Sequence, residues 1–162
     1  LLWYEGKSVN EAAKILCMDR STLFRKEKQI NNIIYDKLKY FHDYLITHCE
    51  SDSEDPYANT IYGALVRGKA LCEGYAKSFS YLCNKAGIEN IIVTGETDTA
   101  HMWNMVKIDG NWYHVDVTWD KPDGMIAEMY PDMVMYQYFL VTDSVIENNH
   151  TIWTIISTPM KT

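Results

Sequence analysis

The feature that most constrains this chain is the stretch His101–Asp120, which reads HMWNMVKIDGNWYHVDVTWD. Two runs rich in aromatic and β-branched residues flank Asp109 and Gly110, a dipeptide typical of two-residue turns between antiparallel strands. With such a turn, Ile108 faces Asn111 across the hairpin, and the register of every other pair follows. The sequence therefore predicts one specific β-hairpin.

This register brings a histidine and an aspartate together. Trp103 lies opposite Asp116, so His101 and Asp116 are diagonal neighbours on one face, roughly 7–8 Å apart at the backbone. A three-residue loop would place them on opposite faces, and a four-residue loop would move them about 14 Å apart along the strands. His114 shares the face and competes as a base, but it lies about 14 Å from His101 and is interpreted as a half-buried strand residue.

A second motif, GKALCEGYAKSF, places Cys72 at the predicted start of a helix. The apolar positions of this helix form one stripe, and Gly87 is a plausible C-cap. The free amides and partial positive charge of a helix N-terminus favour a thiolate and can hold an oxyanion. An imidazole nearby could accept the thiol proton, and a carboxylate could orient that imidazole. Cys72, His101 and Asp116 are therefore the candidate nucleophile, base and orienting carboxylate.

The remaining patterns predict helices first and strands afterwards, which indicates an α+β domain. A long amphipathic helix starts near Ile30 and ends near His48, with His42 and His48 at surface positions. Predicted strands cover residues 90–95, 136–141 and 151–157, in addition to the hairpin. No partner for His150 can be assigned from the sequence.

Composition narrows the class of protein. The 162 residues, 47% of them hydrophobic, suit one globular domain with a substantial core, and no apolar run approaches the roughly 20 residues of a membrane-spanning helix. Residues 1–30 carry six Lys/Arg against four Asp/Glu, whereas residues 31–162 carry nine against eighteen, a balance unlike that of a general nucleic-acid binder. We therefore divide the chain into a helical segment, 1–30, and a main domain, 31–162. The four cysteines show no zinc-binding spacing.

The segments YGALVRGKALCEGYAKSF, AHMWNMVKIDGNWYHVDVTWD and YFLVTD, followed by His150-Thr151, resemble the bacterial transglutaminase-like domains of the transglutaminase/papain-like cysteine hydrolase superfamily. The resemblance implies a papain/transglutaminase-like fold, in which a nucleophile-bearing helix packs on an antiparallel sheet. It also implies a triad of Cys72, His101 and Asp116. An extracytoplasmic or cell-surface location is favoured by the same resemblance.

Three further side chains are candidates for substrate or oxyanion contacts. Tyr62 lies in a segment that the family retains and could donate a hydrogen bond to the oxyanion. Trp103 shares the face of His101 and could line an acyl pocket, although packing within the sheet is the simpler interpretation. Glu73 could interact with the helix dipole or select substrate.

The N-terminal stretch GKSVNEAAKILCMDRSTLFRK, residues 6–26, resembles a bacterial or phage helix-turn-helix. In that interpretation Ser21, Thr22 and Arg25 begin a recognition helix, with Arg20 and Lys26 near phosphates. DNA is a partner only if this resemblance is genuine. The alternative is a pair of helices that pack on the main domain.

The sequence thus predicts a cysteine-dependent acyl-transfer enzyme that acts on peptide or carboxamide bonds, with hydrolysis favoured over transglutaminase crosslinking. No acidic cluster resembles a calcium loop, so no metal and no cofactor are expected. Two alternatives stay open: a non-enzymatic interaction module that keeps the fold but has a blocked cleft, and a DNA-binding regulator with a peptidase-like domain.

Overall fold

The computed structural model describes residues 20–157 of a chain that divides into two compact units, 1–36 and 37–162. Helix α1 (Arg20–His48) is continuous from residue 20 and ends where the sequence predicts. The sequence predicted that this helix starts near Ile30, but the helix already includes residues 20–29, because no Gly or Pro interrupts the helical pattern there. The predicted domain boundary at residue 30 falls inside this helix and stays a prediction. The first helix and turn of the helix-turn-helix interpretation lie outside the described residues.

The other elements form an α+β fold, as predicted. In chain order they are a short π-helix (Gly63–Arg67), α2 (Cys72–Lys85), β1 (Asn90–Glu96), β2 (Ala100–Ile108), β3 (Asn111–Val115), α3 (Gly124–Met129), β4 (Phe139–Val141), α4 (Asp143–Ile146) and β5 (Thr151–Ser157). The strands make one antiparallel sheet in the order β4-β3-β2-β1-β5. The strand predicted over 136–141 is shorter than expected and covers only its last three residues.

The hairpin β2–β3 has the predicted register. Asp109 and Gly110 have φ angles of 51° and 77°, and positive φ at both central residues defines the tight turn that the sequence indicated. Ile108 pairs with Asn111, and Asn104 pairs with Val115. The positions of all side chains on this hairpin therefore follow from its turn.

The two faces of the sheet bury different partners. Asn104 points to one face, where its side-chain amide donates a hydrogen bond of 3.0 Å to the carbonyl of Ala76 on helix α2. The alternate positions face the other side, where Trp103 packs in a cluster with Val93, Met105 and Ile146. This cluster forms the buried layer against which the hairpin histidines, His101 and His114, are positioned.

Helix α2 is held at both ends by close backbone contacts. At its C-terminus Gly87 adopts a φ of 71°, and the amide of Ile88 donates to the carbonyl of Cys83 at 2.9 Å, so the predicted glycine cap is confirmed. At its N-terminus the chain at Ala58 crosses so closely that a Cβ on Gly74 would lie 2.0 Å from the Ala58 carbonyl oxygen. The glycine allows this approach, which sets the position of Cys72.

We expect Gly74→Ala to destabilise the fold by at least about 2 kcal/mol, because the clashing atom belongs to the backbone and cannot rotate away. Denaturant unfolding would measure the loss. The matched control is Gly87→Ala, where a Cβ meets nothing within 4 Å and only the cost of a positive φ remains. Equal losses for the two variants would show that the crossing at Ala58 is not tight.

No helix within residues 20–157 combines the length and hydrophobicity needed to cross a bilayer.

Candidate active site

Cys72 is the first residue of helix α2 and is partly exposed. The preceding Leu71 is extended, with φ −107° and ψ −179°, and its amide donates to the carbonyl of Ala58 at 3.0 Å. This anchored strand-to-helix turn presents the thiol at the helix N-terminus, where the first amides have no partner within the helix. The amides and the helix dipole together suit a negatively charged group there.

His101 lies between Cys72 and Asp116. Its Nε2 is 2.6 Å from Oδ2 of Asp116, and Cys72 acts on the same ring, since its side chain helps to raise the pKa of His101. Because Nε2 is engaged by the carboxylate, Nδ1 is the nitrogen left for the sulfur. The contact between His101 and Asp116 that the hairpin register predicted is present.

Asp116 is a fully buried carboxylate with four hydrogen-bond donors. Its Oδ1 accepts from the backbone amides of Thr118 and Trp119 at 3.0 and 3.1 Å, and its Oδ2 accepts from His101 and from His150 at 2.6 and 3.0 Å. Burial acts to raise the pKa of Asp116, but the hydrogen bonds from the two imidazoles outweigh it, and the pKa is lowered. The group is therefore held as a carboxylate.

The pKa of His101, in contrast, is raised. Burial acts to lower the pKa of His101, but the hydrogen bond to Asp116, the contact with Cys72 and the charges of both groups raise it to about 9. At neutral pH the arrangement thus favours an imidazolium between a carboxylate and the sulfur. Such an imidazolium can donate a proton to a leaving group.

We expect the Cε1–H resonance of His101 to titrate with a midpoint near pH 9. Since the folded state favours the protonated ring, the stabilisation from His101 is complete below the ordinary histidine pKa of about 6.5 and is lost as the pH rises through about 9. NMR of histidine-labelled protein measures the midpoint, and denaturant unfolding between pH 7 and pH 10 measures the loss. Asp116→Asn is the control and should lower the midpoint. An unchanged midpoint in that variant would rule out control by Asp116.

Trp103 supports the imidazole from below. Its ring stacks on His101 with centroids 5.8 Å apart and planes inclined by 19°, and its Nε1 donates to Nδ1 of His114 at 3.0 Å. Trp103 is buried, with 1% of its surface exposed, and its ring lies beneath that of His101. The Nε2 of His114 donates in turn to Asp143 at 3.0 Å, so His114 is engaged away from Asp116. Burial lowers the pKa of His114 despite this carboxylate.

His150 is the residue of the site that sequence reasoning missed. It precedes strand β5, is buried, and contributes the second imidazole on Oδ2 of Asp116. The two residues are separated by 34 positions in the chain. No local pattern relates them, so only the packing of the turn before β5 against the hairpin brings them together.

The family model described as the transglutaminase-like superfamily matches residues 23–117, more than half of the chain. The chain belongs to the transglutaminase-like superfamily. The match includes all three candidate triad positions, whereas His150 lies beyond its end.

Individual proteins resemble this transglutaminase-like domain over only part of their length. The kyphoscoliosis peptidase of Mus musculus is 33% identical over 64 residues, which cover 32% of this chain and 10% of that protein. The human protein of the same name matches equally, so the chain spans about a tenth of the length of these curated relatives. A crystal structure of a TGase is 18% identical, with a TM-score of 0.49 over 64% of this chain and 34% of that one.

Two other predicted site residues of the transglutaminase-like domain have partners outside the candidate triad. Glu73 forms an ion pair of 2.6 Å with Lys77, one turn along helix α2. Tyr62 is half-exposed and packs edge-on against Tyr57, with centroids 5.4 Å apart. Within residues 20–157 neither side chain makes a hydrogen bond or ring contact with Cys72 or His101, and their roles stay predictions.

The surface position expected for His42 is wrong. Its side chain is fully buried, and its Nε2 lies 3.0 Å from Oδ2 of Asp120, whose other oxygen accepts from the amide of Tyr138 at 2.9 Å. Burial raises the pKa of Asp120, although the bonds from His42 and Tyr138 oppose it. This second histidine–aspartate pair links helix α1 to the segment that follows Asp116.

An open groove of about 440 Å³ lies on the outer side of Trp119. Trp119, whose ring centroid is 6.3 Å from that of His101, forms part of its wall. The remaining lining residues are Ser51, Asp98, Thr118, Lys121, Pro122, Asp123 and Met135. Cys72, His101 and Asp116 are not among the residues that line this groove.

The described residues offer one set with the spacing of metal ligands: His101, Asp116 and His150, whose ligand atoms lie within 4.8 Å of one another. Both imidazoles are at hydrogen-bond distance from a single carboxylate oxygen. Ligand atoms at about 2.0–2.2 Å from a tetrahedral zinc would lie roughly 3.3–3.6 Å from one another, whereas the two nitrogens lie 2.6 and 3.0 Å from Oδ2 of Asp116. The set is explained by hydrogen bonding.

Proposed function

We propose that this domain is a cysteine-dependent acyl-transfer enzyme that acts on a peptide or carboxamide bond of a protein or peptide substrate, with hydrolysis as its main reaction. The observation that supports the proposal is the 2.6 Å contact between His101 and a buried carboxylate, on a ring whose pKa also responds to Cys72 at a helix N-terminus. Membership of the transglutaminase-like superfamily supports cysteine chemistry in general. The assignment of Cys72, His101 and Asp116 as the triad is part of the proposal.

In the acylation step, the sulfur of Cys72 attacks the carbonyl carbon and the thiol proton resides on His101. The C–O double bond becomes a single bond to an oxyanion, to which the amides of Cys72 and Glu73 would donate. Collapse of this intermediate breaks the C–N bond. His101 passes its proton to the departing amine, which leaves a thioester on Cys72.

In the second step, a water molecule attacks the thioester carbonyl while His101 accepts a proton from it. Collapse breaks the C–S bond, releases a carboxylic acid and returns the proton to the thiol. A lysine amine in place of water would give a crosslink by the same sequence. The partial exposure of Cys72 supports water as the usual acceptor, since the thioester would form where solvent has access.

Access to the sulfur also supports an enzyme over an interaction module with a blocked cleft. Cys72 is partly exposed, whereas Cys49 and Cys83 have 1% and 0% of their surface exposed. Burial raises the pKa of Cys49 to about 11 and raises the pKa of Cys83 still further. Within residues 20–157, Cys72 is therefore the thiol best placed to meet a substrate.

Mass spectrometry of a mixed peptide library incubated with wild-type protein and with Cys72→Ala would test the function. Hydrolysis of a peptide bond yields two shorter products, deamidation replaces an amide by an acid, and crosslinking joins two peptides with loss of ammonia. We expect cleavage or deamidation with the wild type alone. Products that dominate as crosslinks would correct the choice of acceptor, and identical product profiles for the two proteins would contradict the proposal.

A further inference from the structure

His150 occupies a site that the proposed mechanism does not use. Its side chain is fully buried, and its Nε2 lies 3.0 Å from Oδ2 of Asp116. The same oxygen is 2.6 Å from Nε2 of His101. One carboxylate oxygen therefore accepts from two imidazoles, one of which faces the nucleophile.

The orientation of His150 is fixed on all sides. Three aromatic rings surround it, with centroids 4.8 Å away for Trp119, 5.0 Å for Trp103 and 5.3 Å for Tyr138. Its Nδ1 lies 2.7 Å from Oδ1 of Asn149, whose Nδ2 donates to the hydroxyl of Tyr138. A ring held in this way cannot turn to a new partner without disturbing the core, so its Nε2 stays directed at Asp116.

A second donor on Oδ2 changes what Asp116 does to His101. When His101 is neutral, the carboxylate charge has no cation beside it, and a hydrogen bond from His150 stabilises that charge strongly. When His101 is protonated, the cation already balances the carboxylate, and the bond from His150 contributes less. The donor therefore stabilises the state in which His101 has released its proton.

We propose that His150 is a positioning residue that shares Oδ2 of Asp116 with His101 and limits how tightly the carboxylate holds the proton on His101. The consequence for catalysis, which rests on the proposed function, is that His101 stays acidic enough to protonate the leaving amine. Without the hydrogen bond from His150, Asp116 would stabilise the protonated ring of His101 more strongly and make it a weaker acid. His150 also keeps Asp116 ionised, in agreement with the lowered pKa of that carboxyl group.

Other titratable groups near this cluster also influence the titration of His101. The contributing titratable groups come from helix α2, strands β2 and β3, and the segments that follow β3: Cys72, His101, His114, Asp116, Asp120 and Tyr138. Among these groups, Asp116 accepts the hydrogen bond from His150, and the same oxygen accepts from His101. A change at His150 should therefore appear first in the titration of His101.

NMR titration of the full chain with 13C-labelled histidine would test this role. In His150→Leu the donor is removed, and we expect the midpoint of His101 to rise by about one pH unit above its wild-type value, since hydrogen bonds to charged groups have energies of that order. In His150→Gln a side-chain N–H can take the place of Nε2, and we expect the midpoint to return to within about 0.3 unit of wild type.

A midpoint that stays at the wild-type value in a folded His150→Leu protein would overturn the proposal, as would equal shifts in the Leu and Gln variants. If His150→Leu fails to fold, long-range 1H–15N spectra of wild-type protein give an independent test, because the proposal requires a proton on Nε2 of His150. An unprotonated Nε2 would refute it. Neither measurement uses turnover, so both stand even if Cys72→Ala shows that the proposed reaction is wrong.

Discussion

Replacing Cys72 with alanine is expected to lower turnover by roughly 10⁴-fold or more, because the proposed mechanism forms its thioester on this sulfur and the remaining amides only orient the substrate. The protein should stay folded, since the side chain is partly exposed and its loss opens no buried cavity. Turnover of a substrate found in the peptide library gives the first quantity, and denaturant unfolding gives the second, with an expected change below about 1 kcal/mol.

The matched control is Cys83→Ala, which removes a thiol from the core of the same helix. This variant should lose stability, as expected for a buried truncation, while each folded molecule keeps its activity. Alkylation at neutral pH provides a measurement that needs no substrate: Cys72 should be modified faster than Cys49 or Cys83, with peptide mapping to identify each site. Residual activity above about one hundredth of wild type in Cys72→Ala would remove the thiol from the mechanism.

Replacing Asp116 is expected to have the second largest effect, and on two quantities. In Asp116→Ala, two imidazoles and the amides of Thr118 and Trp119 lose their acceptor in a fully buried site. Breaking a buried charged network of this kind costs about 3–5 kcal/mol. Asp116→Asn keeps the shape, so its loss of stability should be smaller, but activity should fall by roughly 10³–10⁴-fold because the orienting charge is gone.

Asp143→Asn is the matched control for this pair of variants. Asp143 also accepts a hydrogen bond of 3.0 Å from a buried histidine, but 69% of its own side chain is exposed. The change should alter the free energy of unfolding by no more than about 1 kcal/mol, since solvent already screens the charge. Equal losses for Asp116→Asn and Asp143→Asn would mean that burial does not decide the effect.

The hairpin and its contact could be predicted because they follow from local rules. Two residues able to adopt positive φ fix the turn, the turn fixes the register, and the alternation of side chains then places His101 near Asp116. The start of helix α2 at Cys72 and its glycine cap follow from equally local signals. Each of these predictions depends on a few residues that are adjacent in sequence or paired across one turn.

His42 shows where such reasoning fails. Its position on the helix is compatible with either an exposed or a buried side chain. Which of the two occurs depends on whether another element supplies a hydrogen-bond partner. Asp120, distant in sequence, supplies that partner at 3.0 Å. A buried polar group is tolerated only when its hydrogen bonds are satisfied, so its burial cannot be judged without knowledge of the tertiary neighbours.

By itself, the sequence determined the α+β class, the turn and register of the β2–β3 hairpin, and the candidate set Cys72, His101 and Asp116. Only the tertiary structure decided that a second imidazole, His150, would bind the same carboxylate oxygen, and that Trp103 would lie beneath His101. The reason is the range of the interactions involved. Turn geometry and strand alternation act between neighbours in the chain, whereas the donors that surround a buried carboxylate are selected by how distant segments pack.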